Sequence, residues 1–267
     1  MSAEANGHGL IESTLRAKRE SGRKCLVPYI TGGFGDEWLR AIEAAAQAGA
    51  DAIEIGLPFS DPVMDGPTIQ EASELALRAG ATPVNILDAV ADLDAGVPLI
   101  AMTYYNIAYR MGHERFAQSL LASGVSGVIL PDLPLEETTP WREVADGLGV
   151  ETILLAAPTG SDERLVEVTS QAKGFVYGVG LLGITGERAQ LAASATEMAR
   201  RLKEVTDKPV LVGVGVSTPE QAVEVCEHAD GVIVGSAIVR RLLEGQGAEG
   251  VGELVSDFRS ALDAAWS

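Results

Sequence analysis

The sequence predicts an α/β protein: a single (β/α)8 TIM barrel over residues 1–267, with an extra helix at its N-terminus. Three observations predict it. Short apolar runs alternate with helical stretches eight times along the chain. The runs are apolar throughout, as parallel strands covered on both faces require. No linker, charge block or low-complexity segment divides the 267 residues, a length one such barrel commonly fills. A doubly wound open sheet is the alternative. It would need a dinucleotide-binding turn after the first strand, and Gly32-Gly33-Phe34-Gly35 lacks that spacing.

Taken in order, residues 11–19 have helical spacing and form the leading helix. Residues 25–31 make the first strand. A helix over 36–48 follows, with Asp36 as its cap and Trp38, Ile42 and Ala45 on one face. The second strand, 50–55, carries one carboxylate, Glu54. Helices over 69–78 and, after Pro83, over 84–94 come next. The remaining strands are predicted at 97–103, 127–130, 152–156, 174–179, 209–214 and 231–234. The helices between them lie at 115–122, 135–147, 162–171, 191–205 and 219–228. A short helix starts at Ala237, and an amphipathic one closes the chain over 252–266.

Composition narrows the function. The net charge is −18, with 38 acidic and 20 basic residues, so nucleic acid is excluded as a partner. Fifteen of the basic residues are Arg and five are Lys. The acids are spread along helix faces, and a high-salt cytoplasm that screens their repulsion would explain them. No apolar stretch is long enough to span a membrane. Residues 1–9 lack a basic region followed by an apolar core, so a cytoplasmic protein is expected. Cys25 and Cys226 read as reduced, buried thiols.

In a barrel, chemistry collects at the C-terminal ends of the strands. An ionisable group within an apolar strand is expensive to bury, which draws attention to Glu54. The loop after it supplies Asp61 and Asp65, the second member of an acid/base pair. The bland readings are an arginine partner for Glu54 inside the barrel and a helix-capping role for Asp65. Other strand ends offer Tyr29, Tyr104 with Asn106, Asp132 and Tyr177. Asp132, between two apolar neighbours, reads as structural; Tyr177 could equally be core filling. Gly213, Gly215, Gly235 and Ser236, after the last two strands, place backbone N–H groups where barrels hold phosphate. Lys24, Lys173 and Lys208 precede strands, at the opposite end, so no lysine is placed to form a Schiff base. His8, His113 and His228 are scattered, and no metal site is expected. A carbon–carbon lyase built this way must send its electrons into the substrate.

The stretch Glu54-Ile-Gly-Leu-Pro-Phe-Ser-Asp-Pro-Val-Met-Asp-Gly-Pro-Thr-Ile-Gln70 closely resembles the signature of the tryptophan synthase alpha chain family. So do Pro28-Tyr-Ile-Thr-Gly-Gly33, Tyr104-Tyr-Asn106, Pro131-Asp-Leu-Pro134, Tyr177 with Gly183-Ile-Thr-Gly186, Gly213-Val-Gly-Val-Ser217 and Gly235-Ser-Ala-Ile-Val239. The resemblance covers nearly the whole chain, in order. It implies cleavage of indole-3-glycerol phosphate to indole and glyceraldehyde 3-phosphate, with no cofactor in this chain. It also implies a beta chain as partner in an alpha2beta2 heterotetramer, the beta chain carrying pyridoxal phosphate. Carried over by position, Glu54 is the catalytic glutamate, Asp65 the aspartate that binds indole and Tyr177 the active-site tyrosine. Tyr29, Leu155 and Ile233 line the indole pocket. Tyr104 and Thr185 are expected to touch substrate. Gly186, Gly215, Gly235 and Ser236 bind phosphate, and Asp61, Pro62 and Asn106 face the partner. One departure is Gly180, where many members have serine, at the start of the family's mobile lid; the extra glycine is expected to loosen it. The competing readings are a (β/α)8 phosphosugar isomerase and a catalytically silent regulatory subunit.

Overall fold

The computed structural model describes residues 7–180, 188–213 and 215–266. Eight parallel strands close on themselves in sequence order: β1 (Cys25–Thr31), β2 (Ile53–Gly56), β3 (Leu99–Met102), β4 (Val125–Ile129), β5 (Glu151–Ala156), β6 (Val176–Gly178), β7 (Val210–Val212) and β8 (Gly231–Val234). Because β1 pairs with both β2 and β8, the open-sheet alternative is gone.

The helices are α1 (Leu10–Glu20), α2 (Trp38–Gln47), α3 (Pro67–Arg78), α4 (Pro83–Ala91), α5 (Tyr105–Met111), α6 (His113–Ala122), α7 (Thr139–Leu148), α8 (Asp162–Gln171), α9 (Arg188–Val205), α10 (Pro219–Cys226), α11 (Ser236–Leu243) and α12 (Gly247–Ala265). Several starts follow from local chemistry. Thr82 with Asn85, and Thr218 with Gln221, form reciprocal capping boxes ahead of Pro83 and Pro219.

Four expectations are corrected. Glu37, not Asp36, occupies the cap position of α2, and it makes no side-chain cap bond. The helix expected over 135–147 is a 3-10 turn, Leu135–Glu137, and then α7. Pro140 has no N–H and would clash with the carbonyl of Glu136, so one continuous helix cannot pass. α5 has no counterpart among the predicted helices; it is a short helix that stops at Gly112, whose φ is 85°. α12 begins five residues early, its first turns obscured by Gly247, Gly250 and Gly252.

Side chains alternate between two cores. Leu26, Ile30, Ile53, Ile55, Val232 and Val234 face outward into the packed helices. Val27, Ala52, Ile100, Ile129, Ile153, Phe175, Leu211 and Ile233 fill the barrel. Glu54 stands two residues beyond Ala52, so the pleat turns it inward.

The N-terminal foot of the barrel is sealed. Ile11 and Leu15 of α1 pack into the interior cluster as a plug. The α1 cap residue is Gly9, which has no side chain to offer. Its place is taken from 140 residues away: Glu151 Oε2 accepts from Ile11 N at 2.7 Å and Oε1 from Glu12 N at 2.9 Å. The other buried acids at the foot are also partnered. Asp51 accepts from Leu26 N and pairs with Lys18 and Arg259. Asp230 accepts from Val210 N and pairs with Lys203. Lys24 donates to Ala229 O, Lys208 to Thr169 O, and Lys173 pairs with Asp146. All five lysines of the chain therefore sit at this end. Among the described residues, no helix is long and apolar enough to cross a membrane, and no group of three His, Cys, Asp or Glu could hold a metal ion.

Candidate active site

At the opposite end, β2 delivers Glu54 into the barrel at the level of Tyr29 on β1 and Ile100 on β3. Glu54 is 1% exposed. Its Oε2 is buried with no hydrogen-bond partner, and no ion pair reaches it among the described residues. The arginine-partner reading therefore finds no support.

The loop after β2 then folds back over the mouth. Val63 N donates to Asp61 O, Asp65 N donates to Pro62 O, and the Gln70 amide on α3 donates to Asp65 O at 2.8 Å. This brings Asp65 to the same space as Glu54. Asp65 does not cap α3; the cap residue is Gly66, without a side-chain bond. Instead Asp65 Oδ2 accepts from the Tyr104 hydroxyl at 3.2 Å.

The two carboxyls share a cavity of about 180 Å³ with Tyr29, Tyr177, Leu155 and Ile233. Met102, Ile129 and Ile69 complete its apolar wall. These three were missed in the sequence; Met102 stands two residues beyond Ile100 on β3, the pleat period that could have found it, Ile129 belongs to the interior cluster, and Ile69 comes from α3. A larger cavity of about 580 Å³ adjoins it between β4, β5 and α8 and shares Met64, Pro131, Leu155 and Val179. Among the described residues, its only charged lining residue, Arg164, is paired with Glu136 and Glu167, so the reactive groups belong to the smaller space.

The glycines form the far edge. Gly213, Gly215, Gly235 and Ser236 line the same cavity. Gly215 has φ 86°, a left-handed conformation that favours glycine. Gly235 caps α11 with no side-chain bond, so the first N–H groups of that helix have no partner within it and suit an anion. Gly213 has a second function: a Cβ there would lie 2.0 Å from the Tyr177 hydroxyl. Thr185, Gly186 and the stretch 181–183 that follows Gly180 lie outside the described residues.

Burial drives the electrostatics. Loss of water raises Glu54 from the usual carboxylate range to about 8, with the Asp65 charge adding to it. Asp65 rises only to about 6, because the Tyr104 hydroxyl steadies its charged form against burial. Burial also pushes Tyr29 and Tyr177 up, so both phenols stay protonated. At neutral pH the cavity holds one carboxylic acid and one carboxylate, the division that acid/base chemistry needs.

Tyr104 is buried but does not line the cavity. Asp132 Oδ1 accepts from Tyr105 N at 2.8 Å, which starts α5. Asp61 and Asn106 are exposed on loops and helices at this end, and Pro62 is half-buried. Val63, 78% exposed, and Tyr109, 67% exposed, are on the same elements.

The family model for the tryptophan synthase alpha chain matches residues 15–262. The chain belongs to the tryptophan synthase alpha chain family. It is 45% identical to the tryptophan synthase alpha chain of Streptomyces coelicolor, over 93% of this chain and 95% of that one. It is also 45% identical to that of Geobacter sulfurreducens, over 94% and 97%. Among solved structures, tryptophan synthase from Mycobacterium tuberculosis superimposes with a TM-score of 0.88 at 37% identity, covering 96% of this chain and 98% of that chain. The alpha subunit from Legionella pneumophila gives 0.85 at 34% identity, covering 96% and 99%. Tryptophan synthase alpha chains are lyases that cleave indole-3-glycerol phosphate, they work with a beta chain, and the family implies no cofactor in this subunit. This membership does not favour the isomerase or the silent subunit, and the comparisons lend no support to the high-salt reading of the charge.

Proposed function

We propose that Glu54 and Asp65 carry the cleavage of indole-3-glycerol phosphate in this chain, with Tyr177 as a helper. One observation carries the assignment: two carboxyls face one apolar cavity, and their environments push their pKa values to about 8 and about 6. The Glu54 carboxylic acid protonates C3 of the indole ring. Positive charge then develops on the ring nitrogen, and the Asp65 carboxylate stabilises it through the N–H. This gain is greatest in the transition state, where it lowers the barrier. Glu54, now a carboxylate, takes the proton of the side-chain hydroxyl. The C–C bond breaks as that hydroxyl becomes the aldehyde, and the bonding electrons restore the aromatic ring. The ring is its own electron sink, and Glu54 ends as it began.

Tyr29, Leu155 and Ile233 hold the ring, while Gly215, Gly235 and Ser236 receive the phosphate together with Gly186. Thr185 is assigned to substrate on resemblance alone. The exposed Asp61 and Asn106, with the half-buried Pro62, belong to a face that docks a beta chain in an alpha2beta2 heterotetramer. That partner brings pyridoxal phosphate and joins the released indole to serine. The whole chain acts as one barrel domain, in the cytoplasm.

Incubation with indole-3-glycerol phosphate, following indole, tests this reading. The wild-type chain should release indole, which an isomerase or a silent subunit would not do. Glu54→Gln should lose roughly 10²–10⁴-fold in kcat while still binding the phosphorylated substrate. A folded Glu54→Gln chain with wild-type turnover would rule the assignment out.

A further inference from the structure

Tyr104 lies one residue before α5, at its cap position, yet its side chain makes no cap bond there. It turns toward the loop after β2. The hydroxyl accepts from Met64 N at 2.9 Å and donates to Asp65 Oδ2 at 3.2 Å. The ring stacks on Phe59, with centroids 5.1 Å apart and planes inclined by 22°. The residue is 4% exposed.

A phenol has one proton and accepts with its lone pairs. The Met64 N–H occupies the accepting side, so the proton is aimed at Asp65. One oxygen of the carboxylate is thereby engaged. Among the described residues, nothing hydrogen-bonds the other, Oδ1.

We propose that Tyr104 is a positioning residue for the cleavage reaction: its hydroxyl, locked by the Met64 N–H and the Phe59 stack, holds Asp65 Oδ2 so that Oδ1 meets the ring nitrogen of the substrate. The proposal rests on the reading of Asp65 given above. It also changes what Tyr104 does, since the resemblance suggested direct contact with substrate. The groups facing Asp65 are Glu54 on β2, Tyr104 itself, and the phenols of Tyr29 and Tyr177 across the cavity. Asp132 acts on the Tyr104 side. No cation is among the groups that shift Asp65. Among the described residues, the hydroxyl is therefore the one neighbour that favours the ionised form.

The consequence has a definite sign. Asp65 works ionised, so turnover falls as pH drops through its pKa. Removing the donor raises that pKa, and the acid limb of kcat must move to higher pH. The test measures kcat and KM for indole-3-glycerol phosphate against pH in Tyr104→Phe, Phe59→Leu and Glu54→Gln. Tyr104→Phe should lose roughly ten-fold in kcat, the scale of one hydrogen bond to a charged group, with a smaller change in KM and an acid limb displaced upward. Phe59→Leu, which removes the stack but keeps both the hydroxyl and the Met64 N–H, should displace the limb in the same direction by less than Tyr104→Phe does. If Tyr104→Phe folds poorly, site-specific 3-fluorotyrosine at this position keeps the shape and strengthens the donor, and the limb should move to lower pH.

A Tyr104→Phe chain whose acid limb stays at the wild-type position overturns the proposal, whether or not kcat falls, because a structural role alone would leave the limb unmoved. If Glu54→Gln is inactive at the same time, the carboxylate mechanism stands and only the positioning role is lost. A Glu54→Gln chain that still turns over removes the mechanism, and the role of Tyr104 with it.

Discussion

Two buried glutamates, at opposite ends of the barrel, divide its tasks. Glu151 opens β5 at the foot and is 3% exposed; Glu54 on β2 faces the mouth and is 1% exposed. Burial raises both. At Glu151 two backbone N–H groups of α1 oppose that rise, and the carboxyl ties the plug helix to the barrel. At Glu54 nothing among the described residues opposes it, and the neighbouring charge of Asp65 adds to it. A satisfied buried carboxylate holds structure together. An unsatisfied one carries a free energy that only chemistry explains, since removing it would cost the fold nothing.

The comparison can be broken by exchanging each group for its amide. Glu54→Gln should give the large loss of turnover already stated and a chain at least as stable as wild type. Gly213→Ala comes next: its Cβ would fall 2.0 Å from the Tyr177 hydroxyl, so the tyrosine must shift within the cavity. Turnover should drop about 10²-fold with the fold intact, as circular dichroism and indole release would show. Glu151→Gln should do the reverse of Glu54→Gln, costing about 2–3 kcal/mol in urea unfolding with kcat near wild type.

Stability against pH sharpens the contrast further. The native-state pKa of Glu54, about 8, is above its ordinary value of 4.5. The folded chain keeps a proton that the unfolded chain has released. The stabilisation is full below about 4.5 and is lost as pH rises to about 8. Between those limits, unfolding free energy should decline by about 1 kcal/mol per pH unit from this group, and Glu54→Gln should flatten that decline. The smallest expected effect concerns the surface. If the charge of −18 is a self-repelling load, melting temperature should climb between low and molar salt, and a flat response would dismiss the high-salt reading.

Much of this was legible in the chain. β1, β8 and α8 have the limits their apolar runs and caps indicate, because those signals are local. α5 was not legible: it is seven residues long and lies between turn-like tyrosines and a glycine. Glu54 could be placed at a strand end, but not on a side of the barrel wall. Strands buried on both faces have no polar alternation to betray the pleat, so its inward direction appears only with the register. Glu151 gave no signal, since the N–H groups it serves are 140 residues away. The bonds of Tyr104 to Met64 N and Asp65 Oδ2 appear only in the structure, because sequence order cannot say which way a side chain turns at a helix start.

The confinement of the five lysines to the foot has a practical side. Amine-reactive coupling through those side chains would anchor the barrel by its base. Molecules tethered to a bead or sensor in this way would present the catalytic opening, and the exposed loops around it, to the surrounding liquid. Acylating reagents aimed at lysine would correspondingly mark the sealed end and leave the cavity untouched.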